Sequence, residues 1–315
     1  MIRYIIKRLL LMIPVILGVS FLIYICMEMS AGDPISILFP DAVGETYEAL
    51  KVQYGYDKPV IYRYALYMLN FFRGDLGTSI SMNKPVIELY MTALPNTIQL
   101  AVAAAVVGHL IAIPLGILSA VKRGTLIDNG SSVIAMLGIS MPNFWFGLLM
   151  IIAFSLGTGW FPSYGNRDGL RSLVLPAITL GIDVTASVTR TTRSGMIDTL
   201  RQDYLRTARA KGVSENKVIT KHGLKNALIP IVTVSGMNLA GMLGGSIVTE
   251  TVFAWPGVGR LLIEGINQRD VALATGCLLM TTILSGLIQL AVDILYAYID
   301  PRIKAQYTRG RKKKV

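Results

Sequence analysis

Three carboxylates fall inside or beside long apolar runs: Asp183, Glu250 and Asp293. A charge at that depth is costly in hydrocarbon, so such groups face a bundle interior or a water-filled cavity. Asp183, in the middle of its run, either meets a passing ammonium or cation, or accepts a structural hydrogen bond from a neighbouring helix. Glu250, in "ETVFAWPG", reads as a structural or gating group rather than a substrate contact, and Asp293 as an interhelical partner. His109 reads as hydrogen-bonded within the bundle, while His222 lies in a basic loop. Two isolated histidines, with Cys26 and Cys277 as small buried hydrophobes, offer no cluster that would coordinate a metal. An intramembrane enzyme would need a Ser–His pair, two aspartates or His-Glu-x-x-His, and no such set is present. No G-x-x-x-x-G-K-[ST] loop is present either, so nothing here takes energy from a nucleotide directly. What is left is charge recognition at membrane depth and one odd segment, "DYLRTARAKG" (203–212), basic and glycine-ended between two apolar stretches.

The elements that position these groups are long and apolar. Of 315 residues, 53% are hydrophobic and 16% charged, against about a quarter charged in globular proteins. A helix needs about 20 apolar residues to cross the hydrocarbon core, and six segments qualify: 9–28, 97–121, 132–157, 173–190, 229–252 and 272–297. The first is too long, and lacks the small-residue site, for a removable signal peptide; it reads as a signal anchor. With the N-terminus inside, 21 Lys and Arg fall in inner segments against 9 outside, while acidic residues, counting Glu28 at the outer end of the first span, run 5 to 11 the other way. Both termini are therefore expected in the cytoplasm. The net charge of +11 does not indicate nucleic acid, because it is divided among short inner loops and the tail "RGRKKKV". Pro114, Pro142 and Pro176 are expected to kink their spans.

The outer segment, 29–95, is too long to be structureless. "KPVIYRYALYMLNFFRG" reads as a helix with Pro59 at its start and Gly74 as its stop, and "FPDAVGETYEALKVQYG" as a shorter one ending at Gly55. Tyr62, Tyr64, Tyr67, Phe71 and Phe72 either sit at the lipid boundary or pack within a small outer subdomain. Span five carries Gly236, Ala240 and Gly244 at four-residue spacing, with Gly241 and Gly245 beside them. Such small residues let helices approach closely, against a second subunit, along an open channel wall, or within this chain.

Between spans four and five, the segment 191–228 is expected in the cytoplasm. Asp203 can cap a helix that ends where Gly212 turns left-handed. Tyr204, Ala208 and Lys211 share one face, with Leu205 and Arg209 in the next row. Ser214 and Glu215 begin a second helix. The alternative is an ordinary positive-inside loop.

In this segment the chain resembles a known family. "DYLRTARAKGVSENKVITKHGLKNALIP" is similar to the cytoplasmic signature loop of permeases of binding-protein-dependent ABC importers, in their dipeptide/oligopeptide/nickel branch. The resemblance runs through "GDP" (32–34), "YDKPVIYRY" (56–64), "GDLGTS" (74–79), "AVKRG" (120–124) and "MPNFWFG" (141–147). It continues in "LVLPAITLG" (173–181), "RTTRSGM" (190–196), "ETVFAWPGVGRL" (250–261) and "DPRI" (300–303). The family's Glu-Ala-Ala stands here as Arg206-Thr207-Ala208, and its Ile-x-Leu-Pro as His222-Gly223-Leu224-Lys225, so no acidic contact is carried over from that Glu.

The resemblance implies an all-α integral membrane protein with six transmembrane helices and the type I ABC importer transmembrane fold. It implies a multi-pass permease of a bacterial or archaeal cytoplasmic (inner) membrane, half of a pathway that works by alternating access. Its partners would be a second, homologous permease, two ATPase subunits that hold ATP and Mg, an extracytoplasmic binding protein and membrane lipid. This chain itself would bind no cofactor. Asp203, Tyr204, Leu205, Arg206, Thr207, Ala208, Arg209, Ala210, Lys211 and Gly212 would form the coupling helix, with Arg206, Arg209 and Lys211 pairing with acidic groups on an ATPase. Asp183, Glu250, Gly241 and Gly245 are the pathway or gating candidates. Peptides are the expected cargo; nickel, a metal chelate or another peptide-like solute is the alternative. A proton-coupled carrier, with Asp183 and Asp293 as relay, would leave 203–212 without a purpose.

Overall fold

The computed structural model describes residues 2–29 and 34–299. The segment "DPRI", the basic tail and the first two residues of "GDP" lie outside the described residues. In chain order the elements are α1 (Ile2–Met29), α2 (Pro34–Leu38), α3 (Glu45–Gln53) and α4 (Val60–Phe72), then a two-residue antiparallel pair, β1 (Thr78–Ser79) with β2 (Lys84–Pro85). There follow α5 (Val86–Val121), α6 (Leu126–Ser140), α7 (Asn143–Met150), α8 (Leu170–Leu200), α9 (Asp203–Ala210), α10 (Glu215–Lys217), α11 (Leu224–Val252), α12 (Val258–Asn267) and α13 (Val271–Ile299). Short π-helical turns at Ile151–Leu156 and Val218–Gly223 extend α7 and join α10 to α11.

Among the described residues, four unbroken helices are long and apolar enough to cross a membrane, and two bent pairs raise the number to as many as six. The expected span 132–157 is one of those pairs. Its halves, 126–140 and 143–156, meet at 108°, a break rather than a kink. Met141 precedes Pro142, whose ring crowds the preceding residue out of the helical region, and Met141 is extended (φ −86°, ψ 128°). Pro114 and Pro176, by contrast, sit inside unbroken helices. Helix α5, at 36 residues, is about 54 Å long at 1.5 Å per residue. It overshoots a hydrocarbon core of about 30 Å and carries the span on into the outer segment.

The centre of the bundle is the contact of α5 with α8. Ala104, Gly108, Ala112, Gly116 and Ala120 recur every fourth residue and are all buried. A Cβ at Gly116 would lie 2.5 Å from Thr192 Cβ, and one at Gly181 would lie 2.8 Å from the Ala104 carbonyl oxygen. The helices are close because the small residues of α5 make room for Val184 and Thr192 of α8, and Gly181 lets α8 reach the Ala104 backbone. The expected small-residue stripe in α11 behaves differently. A Cβ at Gly241 or Gly244 would have nothing within 4 Å, so these two do not serve packing within this chain.

A second core gathers at the other end from α9. Tyr24 and Met27 of α1, Val86 and Tyr90 of α5, Leu261 and Leu262 of α12 and Leu273 and Cys277 of α13 pack there. The outer-segment aromatics divide between the two expected roles. Tyr64 meets Phe21 and Tyr24 edge-on at ring separations of 5.2 and 5.6 Å, while Tyr62 and Phe72 are exposed. Arg63 of α4 clamps Glu28 of α1 with two bonds, of 2.5 and 2.7 Å. Both predicted stops are in place, Gly55 at φ +74° and Gly74 at φ +88°. Cys277 is buried, but Cys26 is exposed, contrary to expectation. Helix α1 is peripheral, so its apolar residues provide an outward-facing hydrocarbon surface rather than a core.

Gly116→Ile should overpack the α5–α8 contact and cost about 1–3 kcal/mol, seen as a lower melting temperature of the purified protein in detergent. Gly18→Ala, where nothing lies within 4 Å of the added Cβ, should leave the melting temperature unchanged or raise it.

Candidate functional site

Helix α9 is a small, anchored projection. Leu205 is completely buried, as is Val218 in the π turn below it. The Tyr204 hydroxyl accepts a hydrogen bond of 2.5 Å from Asn226 Nδ2 of α11. Gly212 sits at φ +77°, and the Gly212 and Val213 amides bond back to the Arg209 and Ala208 carbonyls at 2.9 and 3.2 Å. The left-handed residue turns the chain directly into Ser214, which precedes α10 as expected.

Two expectations about α9 need correction. The residue before the first turn is Gln202, extended at φ −74° and ψ 145°, with no side-chain cap. Asp203 already belongs to the helix and is 96% exposed. Its charge still complements the positive end of the helix dipole. Arg209 is not free for a partner: it forks onto Glu215 with bonds of 3.0 and 2.8 Å. The Gly212 turn brings these residues together, and hydrogen bonding to Glu215 holds the guanidinium pKa above its usual value. Arg206 lies 3.7 Å from Asp203 and is 79% exposed; Lys211 is exposed too. The outward face of α9 is therefore Asp203, Arg206, Thr207, Ala210 and Lys211, with Tyr204 at its edge and Ala208 half-buried.

The intramembrane carboxylates have unlike surroundings. Glu250 is fully buried. Its carboxylate accepts from Thr97 Oγ1 at 2.8 Å and from the Arg260 amide at 3.1 Å, with the Gly259 amide and Ser246 hydroxyl also directed at it. The amides belong to the start of α12, so Glu250 caps that helix from the side of α11. Gly257 must be a glycine because any Cβ would collide with the carboxylate. Trp255 Nε1 donates to the Asn96 carbonyl at 2.9 Å and the Val258 amide to Thr97 Oγ1 at 2.8 Å. The "ETVFAWPGVGRL" stretch is thus a knot tying α5, α11 and α12. Asp293 accepts from Tyr4 and Arg8 of α1, an interhelical bond as expected. His109 bonds the Ala105 carbonyl and Ser235 at 2.7 and 2.5 Å, also within the bundle.

Asp183 is the exception. It is exposed on α8 and its side chain accepts one bond, 2.8 Å from Asn143 Nδ2. One turn on, Ser187 accepts from Asn238 Nδ2 of α11 at 2.8 Å, and Arg190 and Ser194 continue the same edge. Gly241 is exposed on α11; Gly245 lies within that helix.

Two further carboxylates escaped the sequence reading. Asp128 is almost wholly buried and takes the Arg193 fork, with Nη2 at 2.8 Å, and the Gly124 amide at 2.9 Å. Asp270 is buried, accepts from Ser79 and Ser81 at 2.6–3.0 Å and caps α13 through the Leu273 amide. Both lie next to turns, where an acid looks like ordinary solvent-facing polarity. Asp270 before an apolar run was nevertheless a readable cap signal.

Residues 112–305 match the family described as binding-protein-dependent transport system inner membrane component. The chain belongs to that family. Over 96% of this chain and 100% of the relative, it is 40% identical to the oligopeptide transport system permease protein AppB of Bacillus subtilis. It is 41% identical to the glutathione transport system permease protein GsiC of Escherichia coli K12, over 96% and 99%, and 39% identical to the dipeptide transport system permease protein DppB of Alkalihalophilus pseudofirmus, over 96% and 100%. The fold is shared with the MetNI methionine ABC transporter in an inward-facing conformation, at TM-score 0.58 and 22% identity over 68% of this chain and 97% of that one. An amino acid ABC transporter matches at TM-score 0.53 and 16% identity, over 69% and 94%. As a family member the chain is a membrane-embedded permease component of an ABC importer, a class that works with ATPase and substrate-binding partners.

Removing Glu250 with Ala would strand several buried donors, at about 1–3 kcal/mol each, and should sharply lower the melting temperature. Asp183→Asn keeps the Asn143 contact and should shift stability by no more than about 0.5 kcal/mol.

Proposed function

We propose that this chain forms half of the pathway of an ATP-driven peptide importer, with α9 as the element through which ATPase closure is delivered. The observation that carries this reading is mechanical. Buried Leu205, the Tyr204–Asn226 bond, the Arg209–Glu215 fork and the left-handed Gly212 make α9 a stiff lever with an exposed outward face. A lever of this kind moves α8 and α11 together, because it is joined to both; a flexible loop would absorb the displacement. Contact with the ATPase falls to Arg206, Lys211 and the small residues Ala208 and Ala210, with Arg209 reserved for internal bracing. Steering by Arg206 and Lys211 weakens as salt rises.

In this reading α9 faces the cytoplasm, and the α4 and hairpin end receives the binding protein. The exposed polar edge of α8, from Asp183 downward, and the open glycines of α11 line the pathway or meet a second, homologous permease. Glu250 holds α12 in place and does not touch cargo. Peptide cargo is supported by the relatives, whose names specify oligopeptide, dipeptide and glutathione transport. Binding of ATP and Mg falls to the ATPase subunits.

The test is ATP-dependent uptake in proteoliposomes holding the whole transporter with its binding protein. Gly212→Pro forces φ to about −65° where +77° is needed, and Ala208→Trp fills the approach to α9. Both should abolish coupled uptake while the protein still expresses and inserts. Normal uptake in both variants, or uphill uptake by this chain without ATPases, would refute the lever.

A further inference from the structure

We infer that α8 carries a two-point site for the charged ends of a short linear peptide, with Asp183 meeting the α-ammonium and Arg190 the α-carboxylate. This rests on the reading that the exposed edge of α8 lines the pathway.

The first observation is the state of the two charges. Elsewhere in the bundle charge is matched: Asp293 by Arg8, Asp128 by Arg193, and Glu250 by its ring of donors. Asp183 and Arg190 are both exposed and, among the described residues, neither makes an ion pair. A carboxylate as deep in its span as Asp183 is expensive in hydrocarbon and is kept for a purpose; Arg190 stands at the inner end of the same span.

Their spacing supplies the second. Seven residues separate them, two helical turns, so they point from the same side of α8 about 10 Å apart along the axis. An extended peptide advances about 3.3–3.6 Å per residue, so two or three residues, with the reach of the arginine side chain, span that interval. The two groups are too far apart to neutralise each other, yet together they leave the wall uncharged overall. A zwitterion is stabilised there at both ends, while a simple cation or anion gains at only one.

The surroundings fit. Asn143, just after the α6–α7 break, orients the Asp183 carboxylate. Ser140, just before the break, lines a cavity of about 330 Å³ together with Arg190, Ser132 and Thr189. The break at 141–142 thus brings polar groups to both ends of the interval. Guanidinium forks onto a carboxylate through two parallel bonds, whereas an ammonium needs only a compact acceptor.

The experiment uses the complete transporter in proteoliposomes, with maximal ATP-driven uptake measured at saturating loaded binding protein. The solutes are a free dipeptide, its C-terminal amide and its N-acetyl form, each compared with its own wild-type rate so that the binding protein's preference cancels. Arg190→Gln should slow the free dipeptide by about tenfold, the scale of one charge-assisted hydrogen bond, and leave the amide nearly unchanged. Asp183→Asn should slow the free dipeptide similarly and spare the N-acetyl form. The double exchange of Asp183→Arg with Arg190→Asp should recover part of the free-dipeptide rate, which decides the matter if capped peptides are not carried at all. Equal slowing of free and capped solutes, or no recovery in the double exchange, overturns the two-point site while leaving α8 in the pathway. Unchanged uptake of every solute in both single variants removes α8 from the pathway altogether.

Discussion

The contact between α5 and α8 is made close by the small residues of α5, and the rest of the bundle is arranged around it. Ala104, Gly108, Ala112, Gly116 and Ala120 bring the α5 backbone against Gly181, Val184 and Thr192. In hydrocarbon there is no water to expel from between helices, so association comes from close van der Waals approach. Because α8 spends one face on this contact, its opposite face can carry groups that serve no packing purpose. The polar edge that begins at Asp183 is on that face.

Buried acids do the remaining assembly. Asp128 secures α6 to α8 through Arg193, Asp270 holds the hairpin and the start of α13, Glu250 caps α12, and Asp293 retains α1. Each satisfies donors that would otherwise be stranded in a low dielectric, where an unpaired polar group is very costly. These bolts lie near the ends of the bundle and α5–α8 at its centre. That distribution leaves the α9 end tied mainly to α8 and α11, the two helices that carry the exposed polar edge and the open glycines.

Helix α9 itself is too short to be stable alone, since helices below about 12 residues are marginal in water. It is ordered by tertiary means: one buried leucine, one tyrosine–asparagine bond and one ion pair that closes across a glycine turn. The Arg209–Glu215 pair is exposed and worth little as stability, about 0–1 kcal/mol. Its value lies in fixing the angle at which the outward face is presented.

The apolar runs, the caps at Gly55, Gly74 and Gly212, the helical identity of 203–210 and the interhelical role of Asp293 were all legible from residue types and spacing. These are local properties: helix length, glycine's access to positive φ, and the cost of a charge in lipid act on the sequence where it stands. What no periodicity disclosed was choice of partner. Which glycines pack and which stay open, and that Asp183 and Arg190 make no ion pair among the described residues while Asp128 and Asp293 are matched, depend on residues far away in the chain. A side chain's neighbours are set by the approach of whole helices, and that approach was decided only when the tertiary structure formed.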